Sequence, residues 1–132
     1  MTGLIPFSRV IERVRKLAND YPDRVAECEY FNNKGEPQCI WGHVFADLGC
    51  AIEFDESHET WWVTNASGQR VTQMGASLAE DWIDWEVLGI EYPNDDERAW
   101  SETVQHEQDT PIAWGFAVGV VDESFKRRGI SV

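Results

Sequence analysis

Seven tryptophans share a 132-residue chain with a formal net charge of −13, and no other feature constrains the fold as much. Each indole carries a large apolar surface that water disfavours. An excess of carboxylates must meanwhile stay solvated, because an unpaired buried charge is costly. A chain with both has a well-filled aromatic core under an acidic shell, or an aromatic binding surface among acids. The length suits one domain, 1–132, able to bury a core without staples. An apolar fraction of 42% and a charged fraction of 27% are those of a globular chain, not a disordered one.

Charge is distributed unevenly. Residues 1–24 sum to +2, residues 25–60 to −7 and residues 76–111 to −10. Affinity for bare nucleic acid comes largely from Lys and Arg neutralising phosphates, so direct nucleic-acid binding is not expected. A basic protein, or one that itself binds nucleic acid, is the partner favoured by long-range attraction. No apolar run approaches the length of a membrane span, so no membrane partner is expected. The first residues carry no secretion signal, and three cysteines cannot all pair, which points to reduced thiols in a cytoplasm.

Periodicity predicts a mainly α fold with a minor antiparallel β element (α+β), with about five helices and one or two small hairpins. Val10, Ile11, Val14, Leu17 and Ala18 share one face of a helix that starts at Pro6 or Ser8 and ends near Asn19, before Pro22. Val25 to Phe31 and Glu36 to Cys39 flank the turn Asn32-Asn33-Lys34-Gly35. A compact helix follows from Ile40 or Gly42 to Leu48, closed by Gly49. Residues 53–59 read as a polar, acidic stretch. Trp61–Thr64 and Gln69–Thr72 flank Asn65-Ala66-Ser67-Gly68 as a second hairpin. Ser77 and Glu80 form a capping-box pattern for a helix running to Leu88. Asn94 and Glu97 repeat it for a helix to about Gln108, whose end, Gln105 to Asp109, reads as solvated. Thr110-Pro111 reads as the cap of a last helix to about Phe125. Residues 126–132 are expected as a frayed tail.

Four constellations are candidates for function. Cys28, Cys39, His43 and Cys50 are a legitimate zinc set, with Cys39 and His43 one helical turn apart, although no Cys-x-x-Cys occurs and packed thiols are the favoured reading. Trp61 and Trp62 are adjacent, so in a strand they face opposite ways. An exposed tryptophan beside Glu53, Asp55, Glu56 and Glu59 would make a protein-binding hot spot. Asp95 and Asp96 add acids where a helix N-terminus wants negative charge. Gly115 and Gly119, four apart, would admit a second helix closely and so mark a dimer face. For catalysis, His43, His58 and His106 supply bases, yet no spacing selects a nucleophile and its base, and no phosphate-cradling Gly-rich loop occurs. The balance is against an enzyme, and no cofactor other than zinc is indicated.

Two stretches carry a resemblance. One is Cys28-Glu29-Tyr30, Gly35 through His43, and Leu48-Gly49. The other is Trp100, Val104-Gln105, Gln108-Asp109 and Trp114 through Val118. Together they resemble small accessory proteins encoded by phages of actinobacteria, while Trp61 to Met74 lies outside the resemblance. The resemblance implies a phage accessory protein in the host cytoplasm and carries over no activity. The expectation is a non-enzymatic protein that binds and modulates a host or phage protein, with acidic nucleic-acid mimicry as a subtype. A small zinc protein or enzyme and a homodimeric assembly protein are the alternatives.

Overall fold

A computed structural model describes residues 4–25, 36–57, 60–74, 85–110 and 112–132. Among them are four α-helices and one three-stranded antiparallel sheet: α1 (Phe7–Asp20), α2 (Ile40–Asp47), β1 (Ala51–Asp55), β2 (Thr60–Thr64), β3 (Arg70–Met74), α3 (Asp95–Asp109) and α4 (Trp114–Arg127). The α+β class is as expected, with four α-helices rather than five. The helix expected from Ser77 falls mostly on residues outside the described set, and its last part, Trp85–Leu88, is a single 3₁₀ turn. The turn of the hairpin expected around Asn32 lies outside the described residues; of its limbs, Val25 makes an isolated antiparallel bridge to Ala113, and Glu36 to Cys39 forms no named strand.

Helix α1 buries Phe7, Val10, Ile11, Val14, Leu17 and Ala18 along one stripe, as its spacing dictates. Trp85 wedges against this helix and its neighbour. Its ring meets Phe7 edge-on at 5.0 Å and stacks on Phe45 of α2 at 5.7 Å. Trp41, Trp100 and Trp114 are fully buried, so the aromatic content fills the core first. Ile52, Trp61 and Val63 carry the same core onto the inner face of the sheet.

Glycine ends both α2 and the 3₁₀ turn by one motif. Gly49 (φ 79°) and Gly89 (φ 84°) adopt the left-handed conformation. The next amide, Cys50 or Ile90, then reaches back to the carbonyl of Phe45 or Trp85. The reversal returns Cys50 and Ile90 to the buried core. The same bonding after α4 brings Ile130 back to the Phe125 carbonyl. Residues 126–132, expected to fray, begin as the last turn of α4, and Ile130 and Val132 pack partly buried against the core.

Two other expectations need correction. Thr110 does not open the last helix. It closes α3 through its hydroxyl, which donates to the Glu107 carbonyl at 2.7 Å, and α4 begins at Trp114. The end of α3 is not solvated along its length either. Gln105 and Gln108 are buried, Glu107 is half-buried and His106 is exposed, because α3 packs against α4 and α1.

Candidate functional site: the outer face of the sheet

Alternation along β2 places Trp61 on the core face, 8% exposed, and Trp62 on the opposite face, half-buried. The strand that completes this face, β1, was not expected, because Glu53 and Asp55 made the segment read as an acidic loop. Its register sets Glu53 opposite Trp62 and Phe54 opposite Trp61. The acids are the solvent side of a strand whose core side begins with Ile52.

A bulge between Val63 and Thr64 then changes which residues of β3 share the outer face. Regular alternation from the Val63–Thr72 pair would turn Arg70 toward the core. The bulge sets Arg70 opposite Thr64 instead and re-aims its side chain outward. The Arg70 guanidinium lies 5.1 Å from the centre of the Trp62 ring, and its Nη2 is 3.5 Å from Glu53 Oε2. On the other side, Trp62 Nε1 donates to Asp55 Oδ2 at 3.4 Å, while Asp55 Oδ1 accepts from the Ser57 amide at 3.0 Å. Each contact is modest, since exposed ion pairs contribute about 0–1 kcal/mol and exposed cation–π contacts about 0.5–1 kcal/mol. Their joint effect is to hold an accessible indole in one orientation among Glu53, Asp55 and the exposed Glu56. Glu59 lies outside the described residues. Arg70 is the member that sequence reasoning missed, and only the bulge reveals it.

Asp95 and Asp96 do not join this face. They occupy the first turn of α3, where Asn94 and Glu97 form a reciprocal capping box, at 2.7 Å from the Glu97 amide to Asn94 Oδ1 and 2.9 Å from the Asn94 amide to Glu97 Oε1. Their negative charge complements the helix dipole.

Of the proposed zinc set, the structure describes Cys39, His43 and Cys50. Cys39 sits at the N-cap of α2, where its Sγ accepts from the Gly42 amide at 3.3 Å. Cys50 follows the other end of that eight-residue helix, where its amide turns back to the Phe45 carbonyl at 2.9 Å. Cys28 lies outside the described residues, and among the described residues no three metal-ligating side chains converge. Burial pushes the Cys50 thiol above its ordinary 9.0, which leaves it protonated and unreactive at neutral pH.

His43 takes another role. Its ring meets Trp114 edge-on at 5.4 Å, and the Arg24 guanidinium lies 4.9 Å from the centre of the same indole. Burial, with Arg24 adding to it and Asp47 opposing, holds the imidazole below its ordinary pKa of 6.5. His43 Nε2 and Trp114 Nε1 are buried without a hydrogen-bond partner. This is a neutral packing histidine.

The two glycines of α4 separate. A Cβ on Gly115 would lie 2.8 Å from the Pro22 Cβ, and the Gly115 amide donates to the Pro22 carbonyl at 3.0 Å. Its smallness serves a contact inside the chain. Gly119 faces open space between the exposed Phe116 and Val120.

No protein-family model matches the chain, and no curated protein and no solved structure is significantly similar to it. Among the described residues no helix is long and apolar enough to cross a membrane.

Proposed function

We propose that this chain is a non-enzymatic binding module that engages a basic, or nucleic-acid-binding, host or phage protein through the outer face of its sheet and modulates it in the host cytoplasm. The observation that carries this reading is the pre-positioned Trp62, held between Arg70 and Asp55 with Glu53 beside it. Interface energy concentrates in a few aromatic and Arg anchors, and an anchor already ordered loses less entropy on binding. A face on which Arg70 already finds an indole and a carboxylate has the chemistry to receive a partner's Arg or Lys. The acids of this face and those at the start of α3 belong to separate surfaces. That favours a local patch over phosphate mimicry, which needs carboxylates in one regular array.

The test is affinity capture from host lysate at low and moderate salt, with mass spectrometry, comparing wild type with Trp62→Ala and Glu53→Lys. One dominant partner should survive moderate salt and fall roughly thirtyfold in affinity with Trp62→Ala, the loss of a hot spot worth about 2 kcal/mol. Both side chains are on the solvent face, so circular dichroism should be unchanged. Equal retention by the variants, or only salt-labile basic proteins, would reject the reading.

A further inference from the structure

Between Lys34 and Arg98 the sequence carries a single Arg or Lys, Arg70, in the acidic middle of the chain. A tight turn fixes the backbone just before it. Asn65 Oδ1 accepts from the Ser67 and Gln69 amides at 3.0 Å each, and Gly68 takes φ 83°. The bulge at Val63 and Thr64 then sends the Arg70 side chain to the outer face. There its guanidinium lies 5.1 Å from the centre of the Trp62 ring and 3.5 Å from Glu53 Oε2. The Glu53 contact is a loose pair, longer than the about 2.7–2.9 Å of a charge-assisted hydrogen bond. It is also open to water, since the Arg70 and Glu53 side chains are 55% and 74% exposed. Such a pair is screened and readily broken. The indole has a second support, because Trp62 Nε1 donates to Asp55 Oδ2 at 3.4 Å and the Ser57 amide donates to Asp55 Oδ1 at 3.0 Å. Trp62 and Glu53 therefore stay in place when the Arg70 side chain swings away.

We infer that Trp62 and Glu53 form a seat for a guanidinium group, that Arg70 fills this seat in the free protein, and that an arginine of the partner takes its place on binding. The inference rests on the binding-module reading and names the group that engages the site. The occupant's chemistry is that of the group the fold already holds there. A flat, weakly hydrated cation stacks on an indole and pairs with a carboxylate at once, which the compact, strongly hydrated ammonium of lysine does less well. Exchange costs little, because one cation replaces another and no charge is left buried. An internal occupant lowers the apparent affinity by the fraction of time that the seat is closed. A lone cation therefore competes poorly with Arg70, whereas an arginine held by further contacts competes well. Arg70 thus acts as a filter against non-specific cations on a strongly acidic protein.

The test uses the full chain and three capped peptides, Gly-Ser-Xaa-Ser-Gly with arginine, lysine or uncharged citrulline at the centre. NMR of the Trp62 indole N–H reads binding, and the Arg70 side-chain protons, shielded by the indole ring, read exchange. The arginine peptide should bind at Trp62, the lysine peptide more weakly and the citrulline peptide not at all. As the arginine peptide saturates, the Arg70 protons should lose their ring shift. Arg70→Gln opens the seat and should tighten the arginine peptide about fivefold. Arg127→Gln removes the same charge from the exposed side of α4 and should leave that affinity unchanged. Glu53→Gln in the Arg70→Gln chain should remove the gain. Arg70 and Glu53 are exposed, so circular dichroism should match wild type in each variant. Equal, weaker or no binding by Arg70→Gln would make Arg70 a brace and overturn the inference. So would Arg70 protons that keep their shift at saturation, equal binding of the lysine peptide, or shifts away from Trp62. A partner captured through Trp62 without exchange leaves the binding-module reading standing, and exchange without a captured partner removes that reading and keeps the seat.

Discussion

Gly115 and Gly119 sit one turn apart on α4 and meet opposite surroundings, so one substitution tests two environments. Gly115→Ala drives a methyl into Pro22 at 2.8 Å, and overpacking of this kind costs about 1–3 kcal/mol against a helix-propensity gain of about 1 kcal/mol. Gly119→Ala adds its methyl to open space and should stabilise the helix by up to about 1 kcal/mol. Urea unfolding of both variants checks the pair, and equal effects would contradict the Pro22 contact. His43 carries a pH prediction. Its pKa is lowered in the folded protein, so between that value and the ordinary 6.5 the unfolded chain binds more protons. The stabilisation from neutral His43 is therefore complete above pH 6.5 and is lost as pH falls through that window. Comparing urea midpoints of wild type and His43→Asn across the window should show a flatter profile for the variant.

At the scale of elements, local chemistry explains some ends and tertiary packing others. The capping box at α3 was legible because its groups lie within four residues of one another. Asn94→Ala should cost about 1 kcal/mol by chemical denaturation, the usual value of an N-cap. The start of α2 depends on a distant residue. Gln108, fully buried at the end of α3, accepts from the Ile40 amide at 3.1 Å. Nothing in the spacing of Gln108 distinguishes that role from a solvated glutamine. Strand β1 was hidden for a related reason. Its outward acids are chemically those of a loop, and only pairing with β2 shows that Ile52 turns inward.

At the scale of the molecule, one carboxylate ties three helices together. Asp122 on α4 accepts from Arg15 of α1 at 2.8 and 3.2 Å and from the Trp100 indole of α3 at 2.8 Å. Arg15 also lies over the Trp100 ring and donates to the Val132 carbonyl, which secures the closing residues. Asp122→Ala leaves the buried Trp100 N–H without its acceptor and Arg15 with the Val132 carbonyl but no carboxylate, and should destabilise the fold by about 2–3 kcal/mol. Asp122→Asn keeps an acceptor for Trp100 and should cost less. Thermal unfolding that ranks the two variants equally would refute the network.

The sequence by itself determined what local physics controls: the stripe of α1, the glycine that ends α2, the cap of α3, the alternation that separates Trp61 from Trp62, and an acidic exterior over an aromatic core. Each follows from residues within a turn or two of one another. Tertiary structure alone decided which distant groups meet. It placed Gly115 on Pro22, aimed Arg70 at Trp62 through a bulge, and set the Gln108 side chain on the Ile40 amide. The reason is physical: periodicity fixes the face a side chain occupies, whereas the neighbour across that face is chosen by packing between segments far apart in the chain.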